Sequence, residues 1–298
     1  MNFFKIIENL KRTESSLILF CLLDRIPIIV FGEDHQKLDD FLIELSEFVH
    51  FRKEFVFYTD FISFSEYNEL IENENIDYNS QRTNIRCPSN VAFKALNQFD
   101  NFESWLIGIE ISNHRDKINS LINSIKKKLN HFLSIFLFSE SFSVKLQGIN
   151  WKLIDLSLEQ NFLQKISQDT EKSVTKMMRV LSEKINLKDF DKDLVKTLLD
   201  FEIEKNELKK NILKKEIQNF FSGSKRAFFI LSRLNLLNNI DINTKIGSKT
   251  LLDTIDYDEA SIERMISFIR KEWGEDFSNI MENGKKVNAL DSIQSLWG

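Results

Sequence analysis

Glu33 and Asp34 directly follow Gly32, at the end of the apolar run "IPIIVFG". Two adjacent carboxylates after a buried strand suit two chemistries. They can gather a divalent cation with acids from neighbouring strand ends, and Asp60 after "EFVFYT" and Glu110 within "LIGIEI" stand where such partners belong. Alternatively they serve a helix start, one as N-cap and both beside the positive end of the helix dipole. Of the four histidines (35, 50, 114 and 131), only His35 sits beside these acids, and none shows H-x-x-x-H or H-E-x-x-H spacing. Serines and cysteines lack a nucleophile-elbow context, so covalent catalysis has no foothold. Cys21 and Cys87 have no second metal-type ligand close by, which predicts reduced thiols, with Cys21 a small core residue. No residue is assigned a catalytic or metal-binding role, and no cofactor is expected.

The glycine raises a further possibility. A phosphate cradle needs G-x-x-x-x-G-K-[ST], because backbone N–H groups, the lysine and the hydroxyl jointly hold phosphate and magnesium. Counted from Gly32, Lys37 occupies the second glycine position, Leu38 the lysine position and Asp39 the hydroxyl position. A shift of one residue puts Lys37 in place but leaves Gln36 as the glycine and Leu38 as the hydroxyl. Glu33 and Asp34 would also repel a triphosphate. The stretch resembles the P-loop, RecA-like α/β proteins in strand, glycine and helix, without their phosphate-binding motif. It is also similar to response-regulator receiver domains in its acidic pair, but Glu110 replaces their central aspartate and Lys145 follows no strand–Thr/Ser pattern.

The elements that would position these residues take turns between two periods. "FFKIIENL" is an amphipathic opening, and "TESSLILFCLLDR" reads as a helix with Thr13 as N-cap. "IPIIVFG" is apolar on both faces, as a buried parallel strand must be. "HQKLDDFLIELSEFV" is helical by the spacing of Leu38, Leu42, Leu45 and Val49. "EFVFYTDF", "SWLIGIEIS" and "HFLSIFLF" read as strands, with "SEYNELIENENI" and "RDKINSLINSIKKKL" as helices. The alternation predicts a three-layer α/β domain with a mostly parallel sheet over residues 1–150. Ligands in such sheets bind beyond the carboxyl ends of the strands, so a site belongs in the loops after Gly32, Thr59, Ile111 and Phe138.

Residues 151–222 read as a helical spacer, able to form a coiled coil or a dimerising hairpin. Leu194, Leu198, Phe201, Leu208, Ile212 and Phe220 nearly hold a three-four spacing that Lys205 interrupts. "FFSGSK" at 220–225 breaks the pattern and predicts a boundary, with a third domain over 223–298.

Across 298 residues, 42% hydrophobic and 29% charged content excludes wholesale disorder. The net charge of −5 is concentrated in residues 1–150, which hold 16 basic and 21 acidic side chains. No segment has the basic excess that marks nucleic-acid binding by electrostatics alone. The N-terminus lacks a signal-peptide pattern, and "SSLILFCLLDRIPIIVFG" is interrupted by Asp24, Arg25 and Pro27, so no membrane association and a cytoplasmic setting are expected.

The C-terminal segment carries a second pattern. "SKRAFFILSRLNLL" is one helix; "SKTLLDTI" leads through "DYDEAS" into "SIERMISFIRKEW", which Gly274 ends; Asn283-Gly284 is a hairpin turn signal. Three helices and a hairpin resemble the winged-helix superfamily over residues 224–291. Leu251 and Leu252 match the buried positions of its second helix, Ile262, Ile266 and Ile269 those of its third, and Lys285 and Lys286 the wing tip. The resemblance implies binding to DNA or to protein. Ser261, Arg264 and Lys271 would point outward from the third helix, with Lys249 and Thr250 at the start of the second. Asp256, Asp258, Glu259 and Glu263 crowd the half of the helix where bases would be read, and acids there repel phosphate. The expected protein is a non-catalytic regulator that binds DNA through this winged helix, with the α/β domain as sensor or partner platform. The alternatives are a protein–protein scaffold using the same winged helix, and a metal- or nucleotide-dependent enzyme in the α/β domain.

Overall fold

The computed structural model describes residues 3–76, 81–98, 103–111, 115–138, 141–184 and 202–282. Two short helices, α1 (Phe3–Glu8) and α2 (Arg12–Leu23), precede the first strand, β1 (Ile28–Gly32). The chain then alternates through α3 (His35–Phe48), β2 (Lys53–Val56), α4 (Phe64–Ile76), β3 (Thr83–Cys87), α5 (Ala92–Gln98), β4 (Trp105–Glu110), α6 (Arg115–Lys126) and β5 (Phe132–Phe138). The strands lie in the order β2-β3-β4-β1-β5-β6, where β6 is Ser141–Gln147. The pairs among the first five are parallel, and β6 runs antiparallel to β5. The expected mixed α/β architecture with a mostly parallel sheet is therefore present. Strand β6 is not among the expected elements, although "SFSVKLQ" alternates polar and apolar residues with the period of two that a strand with one covered face shows.

The doubly apolar character of β1 has a direct cause. Ile28 and Val30 enter one hydrophobic cluster, with α1–α3 and the C-terminal helices. Ile29 and Phe31 enter a second cluster on the other face, with Tyr67 of α4, Ala95 of α5 and Ile125 of α6. Successive side chains of a strand point to opposite faces, so a strand covered on both sides must be apolar throughout. Helix α2 begins at Arg12 instead of using Thr13 as its cap, because Glu14 reaches back to accept the N–H of Lys11 at 3.0 Å.

After β6 the chain is helical: α7 (Ser157–Lys184), α8 (Glu202–Asn238), α9 (Ser248–Ile255) and α10 (Ile262–Trp273). Residues 185–201, which carry Leu194, Leu198 and Phe201, lie outside the described residues. The boundary expected at "FFSGSK" is not a break: α8 runs through it for 37 residues. Gly223 is there for packing, since a Cβ on it would lie 2.9 Å from Cγ of Tyr257, which follows α9. Nor do the C-terminal helices build a separate core. Phe162 of α7, Phe220 of α8 and Phe268 of α10 belong to the same cluster as Phe3, Val30 and Leu42. Aromatic stacking continues the join, from Phe51 to Phe221 (4.1 Å between ring centroids), from Phe221 to Trp273 (5.7 Å) and from Trp273 to Phe228 (4.9 Å).

Candidate functional site

The turn after β1 decides the fate of the acidic pair. Only Glu33 and Asp34 separate the strand from α3, too few residues to curl a cradle of backbone N–H groups around a phosphate. Asp34 is the N-cap: its Oδ1 accepts the backbone N–H of Lys37 at 3.1 Å, while the Lys37 ammonium lies 3.2 Å from Oδ2. Hydrogen bonding to the Lys37 backbone and side chain holds the Asp34 carboxyl below the usual aspartate range. Space on the Cα side of Gly32 is filled, because a Cβ there would lie 3.0 Å from both the Leu137 carbonyl oxygen and a Leu38 methyl. Leu38, at the position a P-loop gives to its lysine in the unshifted register, is a core residue.

The other acids are equally local. Asp60 accepts the N–H of Val56 at 2.6 Å and closes its own loop. Glu110 ends β4 on an exposed site. Among the described residues, no group of three or more His, Cys, Asp and Glu side chains could hold a metal ion. Burial raises both thiols, Cys21 and Cys87, well above the ordinary thiol range, which suits inert core residues.

At the opposite, amino-terminal end of the sheet the charges are deeply buried. Residues just before β1, β2 and β3 all reach α10. Arg264 of α10 sits 2.7 Å from Asp24, the C-cap of α2, and 2.8 Å from Glu159 of α7, with all three side chains almost wholly buried. Its guanidinium carbon also lies 4.9 Å from the ring centroid of Phe20 and 5.7 Å from that of Phe220. Burial acts to lower the pKa of Arg264, but Asp24 and Glu159 overcome this and raise it. Burial raises the Glu159 carboxyl, with Arg264 opposing. In the last turn of α10, Arg270 and Lys271 stay exposed while Glu272 turns inward. Glu272 accepts from Arg52 at 2.7 and 3.0 Å, and its backbone carbonyl accepts from Nε of Arg82. Arg52 also donates to the Leu22 and Leu23 carbonyls, at 2.7 and 2.6 Å, which satisfies orphan acceptors at the end of α2.

This arrangement corrects the expectation for Arg264. It does not point outward from a recognition helix, because two buried carboxylates hold it in the interior. Ser261 is likewise committed, as N-cap of α10 accepting the Arg264 N–H at 3.2 Å. Lys249 is exposed near the start of α9, and Thr250, half-buried, accepts from the Thr254 hydroxyl through its backbone carbonyl at 2.6 Å. Lys271 is exposed and lines a cleft of about 80 Å³ with Asp24, Arg25 and His131. Burial lowers the His131 pKa, and Lys271 adds to the effect. Lys285, Lys286 and the Asn283-Gly284 turn lie outside the described residues. Lys249 and Lys271 are thus the expected contacts that present an exposed side chain. The expected turn and end of α10 are present: Asp256 takes a left-handed φ of 52° between α9 and α10, and Gly274 one of 77°.

Sequence reasoning missed the carboxylate partners Asp24, Glu159 and Glu272. Glu159 and Glu272 are buried acids within helices, whereas Asp24 is a helix C-cap, and in none of the three does the local pattern identify the arginine partner. It also missed the exposed large apolar residues Tyr58, Ile62, Phe64 and Phe93 around the carboxyl ends of β2 and β3. Among the described residues no helix is long and apolar enough to cross a membrane. No protein-family model, curated protein or solved structure matches the chain.

Proposed function

We propose that this protein is a non-catalytic assembly subunit. Its nucleotide-type α/β sheet acts as a rigid platform, and its C-terminal helices belong to the same body and do not form a separate DNA-reading head. The observation that carries this reading is the burial of Arg264. The residue best placed in a winged helix to read a duplex is instead consumed between Asp24 and Glu159. The turn at Gly32 supports the non-catalytic half of the proposal, since a Cβ on the glycine would already meet Leu137 and Leu38 and the helix start that follows is capped by Asp34. Protein contact also suits the surface better than DNA does, because Asp258 and Glu263 stand exposed around the start of α10.

A second reading, DNA association through a winged helix, keeps support from the exposed Lys249 and Lys271 and from the order α8–α9–α10. One titration separates the two. A labelled duplex at physiological salt should show no binding tighter than the roughly micromolar range of non-specific association. The full chain purified from its own cells should carry a stoichiometric protein partner. Nanomolar duplex binding that falls steeply with salt, and weakens on Lys249→Ala and Lys271→Ala, would overturn the assembly reading. Thermal stabilisation by ATP with Mg²⁺ would overturn its non-catalytic part.

A further inference from the structure

The loop joining β2 to α4 is built to display apolar side chains. Its two anchors, Phe57 and Phe61, are buried, packing on each other with centroids 5.5 Å apart and on Trp105 at 5.8 and 5.9 Å. Between them Tyr58 takes a left-handed φ of 73°, a costly conformation for an aromatic residue. Three hydrogen bonds fix it there: Tyr58 N–H to the Phe61 carbonyl (2.8 Å), Thr59 N–H to the Val56 carbonyl (3.1 Å), and Val56 N–H to Asp60 (2.6 Å). The next turn is fixed too, because Glu66 accepts the N–H groups of Ile62 and Ser63 at 3.0 and 2.8 Å.

What this scaffold presents is apolar. Tyr58, Ile62 and Phe64 are 48%, 54% and 55% exposed, and Phe93 at the start of α5 is 52% exposed. Lys94 links α5 to the loop, its ammonium 4.3 Å from the Tyr58 ring centroid and 2.9 Å from the phenol oxygen. Large aromatic and aliphatic side chains on a fixed backbone lose little entropy when covered, and such residues dominate protein interfaces. Among the described residues, the exposed charged side chains of the loop and α4 are acids, Asp60, Glu66, Glu69 and Glu72, while Lys94 of α5 is engaged by Tyr58. Acids repel nucleic-acid phosphate and anionic lipid, and favour a surface with basic residues around its apolar centre.

We infer that the β2–α4 loop, with Phe93, docks a protein partner through an apolar pocket rimmed by Lys or Arg. This rests on the assembly reading and names its surface. The test compares the full chain, isolated from its own cells, as wild type, as Ile62→Ser/Phe64→Ser and as Glu69→Lys/Glu72→Lys. All the substituted side chains are exposed, so thermal unfolding should stay at the wild-type midpoint. The protein retained by wild type is identified, purified and titrated. The expected result is a complex weakened about tenfold or more by the apolar pair, with the charge pair weakening it at low salt and less at high salt. A purified partner bound equally by wild type and the apolar pair overturns this surface and leaves the assembly reading standing. A chain that retains no protein overturns both. A homodimer in sedimentation that the apolar pair abolishes, or flotation with vesicles containing phosphatidylserine, overturns the proposed occupant.

Discussion

The two ends of the central sheet use the same residue types to opposite effect. At the carboxyl end, where open α/β sheets place their ligands, Asp34, Asp60 and Glu66 each bond to backbone N–H groups a few residues away and remain exposed. At the amino end, Asp24, Glu159 and Glu272 are buried and bridged to Arg264 and Arg52 across long stretches of chain. Acids at the first end shape loops; acids at the second hold α10 against the strands and α7. A carboxylate near a strand end is therefore not evidence of a ligand site until its partner is known. In this molecule the stronger electrostatics lie at the end where ligands are not expected.

This contrast is broken most directly at Arg264. Substituting Arg264→Ala leaves two carboxylates uncompensated in a dry interior, and removing one partner of a buried pair costs about 3–5 kcal/mol. Urea titration should show a larger loss for Arg264→Ala than for any other single substitution named below, and a midpoint near wild type would mean that the triad does not hold α10. The comparison sharpens with the triple variant Arg264→Met/Asp24→Ala/Glu159→Leu. Exchanging a buried ionic set for apolar groups is often neutral or stabilising, so this variant should recover much of the loss. Recovery would show that α10 is attached by packing and that the charges fix its register.

Glu272→Ala comes next. It removes the carboxylate from Arg52, but Arg52 keeps the Leu22 and Leu23 carbonyls, so the expected loss is smaller, about 3 kcal/mol. A double-mutant cycle between Arg52 and Glu272 should return a clear coupling energy, whereas a cycle between the exposed pair Arg270 and Asp276, 3.6 Å apart, should return close to none.

The legibility of the sequence follows the same division. Local signals are readable: the doubly apolar β1, the cap at Asp34, the helices α9 and α10, and Gly274 as a left-handed terminator. Each depends on a period or on a residue within a turn of its partner. What cannot be read is non-local. Helix position alone puts Arg264 on a DNA surface, because its partners lie 240 residues earlier at Asp24 and 105 earlier at Glu159. Gly223 looks like a break for the same reason, since the ring of Tyr257 that requires it lies in another element. Tyr58 reads as an ordinary strand residue and Phe64 as part of the connection after it, because exposure is a property of the fold around them.

At the carboxyl end, Gly32→Ala tests whether the turn is filled. The new methyl meets a backbone oxygen, which cannot give way as a flexible side chain can, so the expected cost is about 1–3 kcal/mol of overpacking. An unchanged unfolding midpoint would mean that space exists above Gly32, and would reopen the phosphate reading.

The smallest effect belongs to Asp34, and its direction with pH is its signature. Because the folded state holds this carboxyl below its ordinary range, its contribution is fully present above the unfolded aspartate pKa. It is lost as the pH falls through the lowered folded value. Asp34→Ala should therefore reduce the unfolding midpoint slightly at neutral pH, and the gap from wild type should close in acid. Asp34→Asn keeps an acceptor for the Lys37 N–H but discards the charge, so it should sit between the two at neutral pH and show no such closure. A gap that persisted at low pH would mean that the carboxylate acts on more than its own helix, through a bound cation or a partner. The carboxyl end of the sheet would then no longer be the plain end of this molecule.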